Sequence, residues 1–137
     1  MKFKIIFITL SICFCFSQAM GQSKDKPTKE KKMVTTVNEL IQGKWQSMDD
    51  KTNFLIFDKN ERKEIGGGMK TWDKETFILS DKCLNESDKG NGLKLEKDKY
   101  ISCKESDMCW YIVSINKDFL ILSYMGRGNT LKYKRVK

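Results

Sequence analysis

The residues that could carry chemistry in this 137-residue chain include no histidine. Histidine is the commonest general base at neutral pH, the usual activator of a serine or cysteine nucleophile, and a frequent ligand of transition metals. Its absence argues against most hydrolytic and metal-dependent mechanisms and leaves carboxylate chemistry as the remaining route to catalysis. We therefore predict a protein that is not an enzyme and that holds no metal or cofactor.

The cysteines predict a disulfide. Cys83, Cys103 and Cys109 are separated by 20 and 6 residues, a spacing that matches no common zinc pattern. In an oxidising compartment two of them should pair and the third should stay free. We predict a Cys83–Cys109 bond, which would join a long loop to a central strand. A Cys103–Cys109 bond is the alternative, because both residues flank a predicted hairpin.

Two loops resemble ion-binding or phosphate-binding sequences without meeting their requirements. Residues 80–92, SDKCLNESDKGNG, place four oxygen-bearing side chains at a calcium-like spacing, but they lack the glycine and the glutamate that an EF-hand loop needs. The glycines at 66–68 are not followed by the Lys-Ser/Thr pair of a phosphate-binding loop. We interpret the first segment as an acidic loop and the second as a flexible hairpin tip.

The first 21 residues have the features of a secretory signal peptide. Lys2 and Lys4 precede an apolar stretch at 5–16, and small residues follow at Ala19 and Gly21. We predict cleavage after Gly21, and therefore a periplasmic or extracellular protein without stable membrane insertion. The alternative is a lipoprotein anchored through a cysteine of the apolar stretch, but the small residue that such processing needs does not precede either cysteine.

The next segment, 22–34, is predicted to be a disordered tether. Residues 22–32, QSKDKPTKEKK, contain five lysines and the only proline of the chain. Removing residues 1–21 takes two lysines and no acidic residue from the 26 basic and 18 acidic residues, which leaves 24 and 18 and a charge of +6. Basic residues also alternate with Leu131 and Tyr133 near the C-terminus. We interpret them as the outward row of a strand and predict no nucleic-acid partner.

Residues 35–137 are predicted to form one all-β domain. Apolar residues come in short runs separated by turns such as DDKT, GGG and GRGN, a pattern typical of antiparallel strands. The predicted strands are 43–48, 53–58, 61–65, 69–72, 76–80, 93–95, 100–103, 109–115, 119–125 and 130–136. A meander of this length favours a single antiparallel up-and-down β-barrel of about 8–10 short strands, because closure removes exposed edges. A short helical turn is predicted at 35–42, with Thr36 as its N-cap.

The last two predicted strands have the clearest alternation. Six of their residues should point into the barrel: Leu120, Leu122, Tyr124, Leu131, Tyr133 and Arg135. Phe119 and Ile121 then face outward, as does one row of the segment CWYIVSI, so the outer surface carries more apolar area than a monomer needs. Either a flanking element or another protein should cover this area.

Three stretches, LIQGKWQSMDD, FILSDKC and LILSYMGRGNTLKYKRVK, resemble the lipocalin-like small barrels of the calycin group, and the secreted bacterial lipocalin-like proteins in particular. The resemblance covers residues 37–137. In that family the tryptophan of a Gly-x-Trp lies across the closed end of the barrel, and an arginine from the last strand packs on it. The resemblance therefore implies a structural plug made of Gly43, Trp45 and Arg135.

The resemblance also implies a ligand in the barrel interior. The interior residues expected to contact it are Phe54, Ile56, Trp72, Phe77, Leu122, Tyr124 and Tyr133. The sequence thus predicts a secreted or cell-envelope binding protein for a small apolar ligand, with Tyr124 or Tyr133 contacting one polar group. The alternative is a filled barrel without a small ligand, whose apolar outer rows near residues 109–125 contact a protein of the cell envelope.

Overall fold

Eight antiparallel strands close into a barrel in the computed structural model, which describes residues 34–90 and 94–137. The strands are β1 (Gly43–Ser47), β2 (Phe54–Asp58), β3 (Glu61–Ile65), β4 (Asp73–Ser80), β5 (Tyr100–Cys103), β6 (Met108–Ile115), β7 (Phe119–Tyr124) and β8 (Thr130–Arg135). Each strand pairs with the next, and β8 pairs with β1, so no strand of the barrel has a free edge. The predicted all-β, up-and-down barrel is confirmed.

One short helix, α1 (Val37–Ile41), precedes the barrel as predicted. Thr36 is its N-cap: the hydroxyl of Thr36 accepts from the Glu39 backbone N–H at 3.2 Å, and the Glu39 carboxylate accepts from the Thr36 N–H at 2.7 Å. This reciprocal capping box satisfies two backbone donors that a helix of five residues would otherwise leave open. The backbone N–H of Thr36 and its hydroxyl, which both donate to the Glu39 carboxylate, hold the pKa of Glu39 below its usual value. Among the described residues, no helix is long and apolar enough to cross a membrane.

Two of the ten predicted strands are corrected. The strand at 69–72 is wrong, because β3 ends at Ile65 and a turn with bends occupies 66–72 before β4 begins at Asp73. The last register pair here is Glu64 with Asp73, so Trp72 lies beyond the paired region. Leu95, in the strand predicted at 93–95, has no strand geometry and is 69% exposed. Leu93, the signal peptide at 1–21 and the tether except Val34 lie outside the described residues.

The barrel core follows the alternation of β7 and β8. Leu120, Leu122 and Tyr133 are buried in the main core cluster, and Tyr124 and Leu131 pack against it, so their predicted inward orientation is confirmed. The rest of the buried cluster comes from the other strands and from α1: Ile41, Trp45, Leu55, Phe57, Phe77, Ile101, Cys103, Trp110 and Ile112. These side chains fill the lumen from the helix end upward.

The closed end of the barrel is built by Trp45 and Arg135, as predicted. The Arg135 guanidinium lies 4.1 Å from the centre of the Trp45 ring, and the two residues are register partners on β8 and β1. Trp45 is fully buried, and its Nε1 donates to the carbonyl of Ile41 at 2.8 Å. Arg135 also donates to the carbonyls of Leu40, at 2.5 Å, and Gln42, at 2.6 Å. These hydrogen bonds fasten the C-terminal end of α1 across the barrel floor.

The backbone conformation at position 43 and the nearby Arg135 side chain both require glycine there. Its φ of +110° is rarely adopted by residues with a side chain, and a Cβ added there would lie 2.9 Å from the Nη1 of Arg135. The three residues of the predicted plug are therefore one unit: Trp45 fills the floor, Arg135 covers it, and Gly43 leaves room for the guanidinium.

The predicted Cys83–Cys109 disulfide is present, and Cys103 is free and buried. On β5 and β6, Ser102 pairs with Cys109 and Cys103 with Met108, so Cys103 and Cys109 point to opposite faces of the sheet. The alternative Cys103–Cys109 bond is therefore excluded by the register. The disulfide is compatible with a protein outside the cytoplasm.

The disulfide fixes the segment before residue 91 against the outside of β5 and β6, and two tyrosine hydroxyls hold the segment after residue 93. A second buried cluster forms there from Cys83, Tyr100 and Cys109, with Tyr111 and Met125 packed on it. The hydroxyl of Tyr100 donates to the Lys94 carbonyl at 2.9 Å, and that of Tyr111 to the Glu96 carboxylate at 3.2 Å. This flanking element covers part of the apolar outer row that the sequence predicted.

Candidate functional site at the barrel mouth

The end of the barrel opposite the plug is open and holds a cavity of about 310 Å³. Its lining comes from β3, β6, β7, β8 and the β7–β8 turn: Arg62, Glu64, Met108, Trp110, Tyr124, Arg127, Asn129 and Leu131. The cavity lies at the small end of the range of ligand pockets, which begins at about 300 Å³. It is a shallow cup above a filled lumen.

The floor of the cup is an arginine that crosses the lumen. Arg62 points inward from β3, is only 4% exposed, and places its guanidinium 4.4 Å from the centre of the Trp110 ring on β6. Its Nη1 donates to Glu75 Oε1 at 3.1 Å, and its Nη2 donates to the Glu64 carboxylate. A buried arginine is stable only when its charge is paired, and two carboxylates and an aromatic face supply that pairing.

Glu75 completes this network from β4. It is the register partner of Arg62 and is buried, and its second oxygen, Oε2, accepts no hydrogen bond from the described residues. Burial raises the pKa of the Cys103 thiol, and the nearby Glu75 carboxylate raises it further. Cys103 is therefore a neutral, unreactive thiol.

The apolar wall of the cup is aromatic. The rings of Trp110 and Tyr124 have their centres 5.8 Å apart, at 42° to each other. Tyr124 also lies against Gly126, where an added Cβ would come within 3.0 Å of the Tyr124 hydroxyl and of Cζ. The absence of a side chain at Gly126 thus lets the ring fold back over the turn. Met108 and Leu131 complete this wall.

Polar groups form the rim. The β7–β8 turn is closed by a hydrogen bond from Gly128 N–H to the Tyr124 carbonyl at 2.7 Å, and by one from Tyr124 N–H to the Asn129 carbonyl at 2.9 Å. This turn carries the exposed Arg127 and Asn129 at the edge of the cavity. On the other side, Glu64 is partly exposed. The cup therefore has an aromatic body, a rim with hydrogen-bond donors, and one carboxylate.

The seven residues predicted to contact a ligand in the interior divide into four groups. Phe77, Leu122 and Tyr133 are buried in the core below the cup, and only Tyr124 lines the cavity. Burial raises the pKa of Tyr133 to about 12, and the nearby Glu64 charge contributes, so its hydroxyl is neutral. Trp72 is half-buried in the loop before β4 and lies outside the core cluster.

The predicted inward orientation of Phe54 and Ile56 is wrong. In β2 the buried residues are Leu55 and Phe57, so the two predicted residues face outward, where Lys44 Nζ lies 4.5 Å from the centre of the Phe54 ring. All four residues from 54 to 57 are apolar, so alternation within β2 cannot decide the face. The register decides it, because Leu55 pairs with the buried Trp45.

Most of the cavity lining was missed at the sequence level. Arg62 and Glu64 lie in a strand with charged residues on both faces, ERKEI, so nothing in the pattern indicates an inward charge. Trp110 offered a usable signal, since it is two residues before Ile112 in β6 and alternation puts both on the same face, which is the buried one. Arg127 and Asn129 lie in a turn, where alternation predicts nothing.

The described residues contain no cluster of three or more acidic or cysteine side chains that could hold a metal ion. In the acidic loop, Asn85 Nδ2 donates to Asp88 Oδ2 at 2.8 Å and to the Asp107 carbonyl at 2.9 Å. The Asp107 carboxylate accepts from Ser87, which lowers the pKa of Asp107. These groups stabilise the loop itself.

Comparison of the chain with protein-family models, with curated proteins and with solved structures finds no match. The structural class is thus defined by the barrel alone: a closed, eight-stranded, up-and-down barrel with a helix-bound plug at one end and a small cup at the other.

Proposed function

We propose that this is a lipocalin-like binding protein of the cell envelope or exterior that takes a small molecule at the barrel mouth. The observation that carries the proposal is the cavity of about 310 Å³ between the Arg62–Trp110 floor and the β7–β8 turn. A concave, mostly preformed site with aromatic walls and a few convergent polar groups is typical of small-molecule sites. The disulfide supports a location outside the cytoplasm.

The lining narrows the ligand to a small molecule with an apolar, preferably flat, body and at least one polar group. The body would lie against Trp110, Tyr124 and Leu131, and the polar group would contact Arg127 or Asn129. A long acyl chain does not fit, because buried side chains fill the lumen below Arg62. The sequence predicted a small apolar ligand with one polar group at Tyr124 or Tyr133; we now expect that polar group at the rim, because Tyr133 is buried below the cup.

Native mass spectrometry of the protein purified from its own cells tests this proposal. We expect a species heavier than the polypeptide by the mass of one small molecule. The substitution Leu131→Trp places an indole in the cup and should abolish this species. The matched substitution Leu95→Trp, at an exposed residue outside the barrel, should preserve it. A bare polypeptide, or equal loading of the two variants, would contradict the proposal.

The filled lumen also favours a second candidate, a protein-interaction module. The predicted contact surface is the apolar outer row near residues 109–125. This row is partly covered, since Cys109 and Tyr111 belong to the cluster formed with Cys83 and Tyr100. Phe119, however, is 47% exposed on β7. Loss of binding to an envelope partner in Phe119→Ser, with small-molecule loading unchanged, would favour this candidate.

A further inference from the structure

The outward side of four neighbouring strands, β7, β8, β1 and β2, carries lysines interleaved with apolar side chains. We name this surface the basic wall; its members are Lys44, Lys132, Lys134, Phe54, Phe119 and Ile121. Across β7 and β8, Phe119 pairs with Lys134 and Ile121 with Lys132. The lysines and apolar residues therefore form one continuous surface on the outside of the barrel.

The charge of the basic wall is uncompensated. Within residues 34–90 and 94–137, no carboxylate forms an ion pair with Lys44, Lys132 or Lys134. The four strands contain a single acidic residue, Asp58 at the end of β2, and it lies 4.0 Å from Lys63 instead. A surface with several lysines that form no ion pair and a single acidic residue attracts anions.

The apolar members of the basic wall distinguish the kind of anion. Phe119 is 47% exposed, and Ile121 and Phe54 are half-buried, with the Lys44 ammonium above the Phe54 ring. A purely polar polyanion gains nothing from such side chains. A lipid surface does, because apolar side chains enter the boundary between headgroups and acyl chains while lysine ammonium groups contact the phosphates.

From this arrangement we propose that the basic wall is a docking surface for an anionic phospholipid membrane. The barrel would lie on the membrane through β7, β8, β1 and β2, without a spanning segment. The mouth cavity is at the end of the barrel, next to this wall and not within it, so docking would leave the cup open. The proposal is independent of the ligand proposed above.

Sedimentation with lipid vesicles tests the docking surface on the full chain. The probe is vesicles of phosphatidylcholine with about one-third phosphatidylglycerol, compared with phosphatidylcholine alone. Each lysine near an anionic surface strengthens binding about fivefold. The triple variant Lys44→Gln, Lys132→Gln, Lys134→Gln should therefore lower the partition coefficient on anionic vesicles about 100-fold.

A matched variant removes the same charge elsewhere: Lys82→Gln, Lys97→Gln, Lys104→Gln, all exposed and outside the basic wall. It should lower the partition coefficient less than about tenfold, since only long-range attraction is weakened. Residues 1–33 are identical in all variants, so their contribution cancels from the comparison. Equal losses in the two triple variants would overturn the proposal.

A second pair of variants tests the apolar part. Phe119→Ser should lower vesicle binding about tenfold, whereas Ile78→Ser, an exposed apolar residue on β4, should leave it unchanged. Two results would assign the wall to a different partner and overturn the proposal. One is unchanged vesicle binding in the lysine variant together with lost binding to duplex DNA. The other is unchanged vesicle binding in the lysine variant together with lost binding to an acidic protein.

Discussion

The plug makes a quantitative prediction for Trp45→Ala. The indole is fully buried, donates to the Ile41 carbonyl at 2.8 Å, and lies under the Arg135 guanidinium at 4.1 Å. Its removal leaves a cavity in the barrel floor and an unpaired carbonyl, and such buried tryptophan truncations cost about 3–5 kcal/mol. For a domain of this size that loss corresponds to a melting temperature lower by about 15–30 °C.

Urea unfolding followed by far-UV circular dichroism measures this loss without relying on tryptophan fluorescence. Trp72→Ala is the matched control, because Trp72 is half-buried in a loop outside the core cluster. We expect the control to lower the free energy of unfolding by about 1 kcal/mol. Equal losses for the two tryptophans would refute the assignment of Trp45 as the barrel floor.

A double-mutant cycle separates the contribution of Arg135. Arg135→Met keeps the apolar stem but removes the donors to the carbonyls of Leu40 and Gln42. Combined with Trp45→Leu, it should show a coupling free energy of about 1–2 kcal/mol, as expected for a desolvated cation–π contact. Lys134→Met, at the exposed neighbour, should show no coupling. Zero coupling between positions 45 and 135 would mean that the two side chains stabilise the barrel separately.

Two further predictions concern the disulfide and the buried tyrosine. Replacing Cys83 and Cys109 with serine should lower the free energy of unfolding by about 3.5 kcal/mol, because the bond closes a loop with a sequence separation of 26; dithiothreitol should destabilise the wild type but not this variant, and sensitivity in both would contradict the assignment. For Tyr133, the hydroxyl ionises at about 12 in the fold and at about 10 when unfolded. The unfolded chain thus loses its proton first, and stability should fall by up to about 3 kcal/mol between these pH values. Tyr133→Phe should lack this part of the fall in urea midpoints, and identical pH profiles would show that Tyr133 titrates normally.

The sequence predicted the fold correctly where the pattern of apolar residues allows only one face of a strand to point inward. In β8 apolar residues alternate strictly with polar ones, so only one face could point inward, and pairing across the β7–β8 turn then fixes the face of β7; the structure confirms it for Leu120, Leu122 and Tyr133. The plug was predicted from a resemblance, and its geometry shows why Gly43, Trp45 and Arg135 belong together. The register of a strand, however, depends on the neighbouring strand and cannot be derived from one strand alone. In β2 the pairing with β1 places Phe54 and Ile56 on the outward face, opposite to the prediction.

The cup could not be predicted from the sequence because Arg62, which forms its floor, is a charged residue that points into the barrel. An arginine in a strand is ordinarily a surface residue, yet Arg62 is buried because Glu75 lies opposite on β4 and Trp110 lies across the lumen. Those partners come from strands 13 and 48 residues away in the sequence. Only closure of the barrel brings them together, so no local pattern in ERKEI indicates the site.

The most direct test of a ligand site at the mouth is a fluorescence titration with 1-anilinonaphthalene-8-sulfonate, a flat apolar molecule with one anionic group. The wild type and Leu95→Trp should bind one equivalent of the dye saturably. Leu131→Trp, folded to the same circular dichroism spectrum, should bind none. Saturable one-to-one binding that survives Leu131→Trp would place the dye outside the cup and contradict the account.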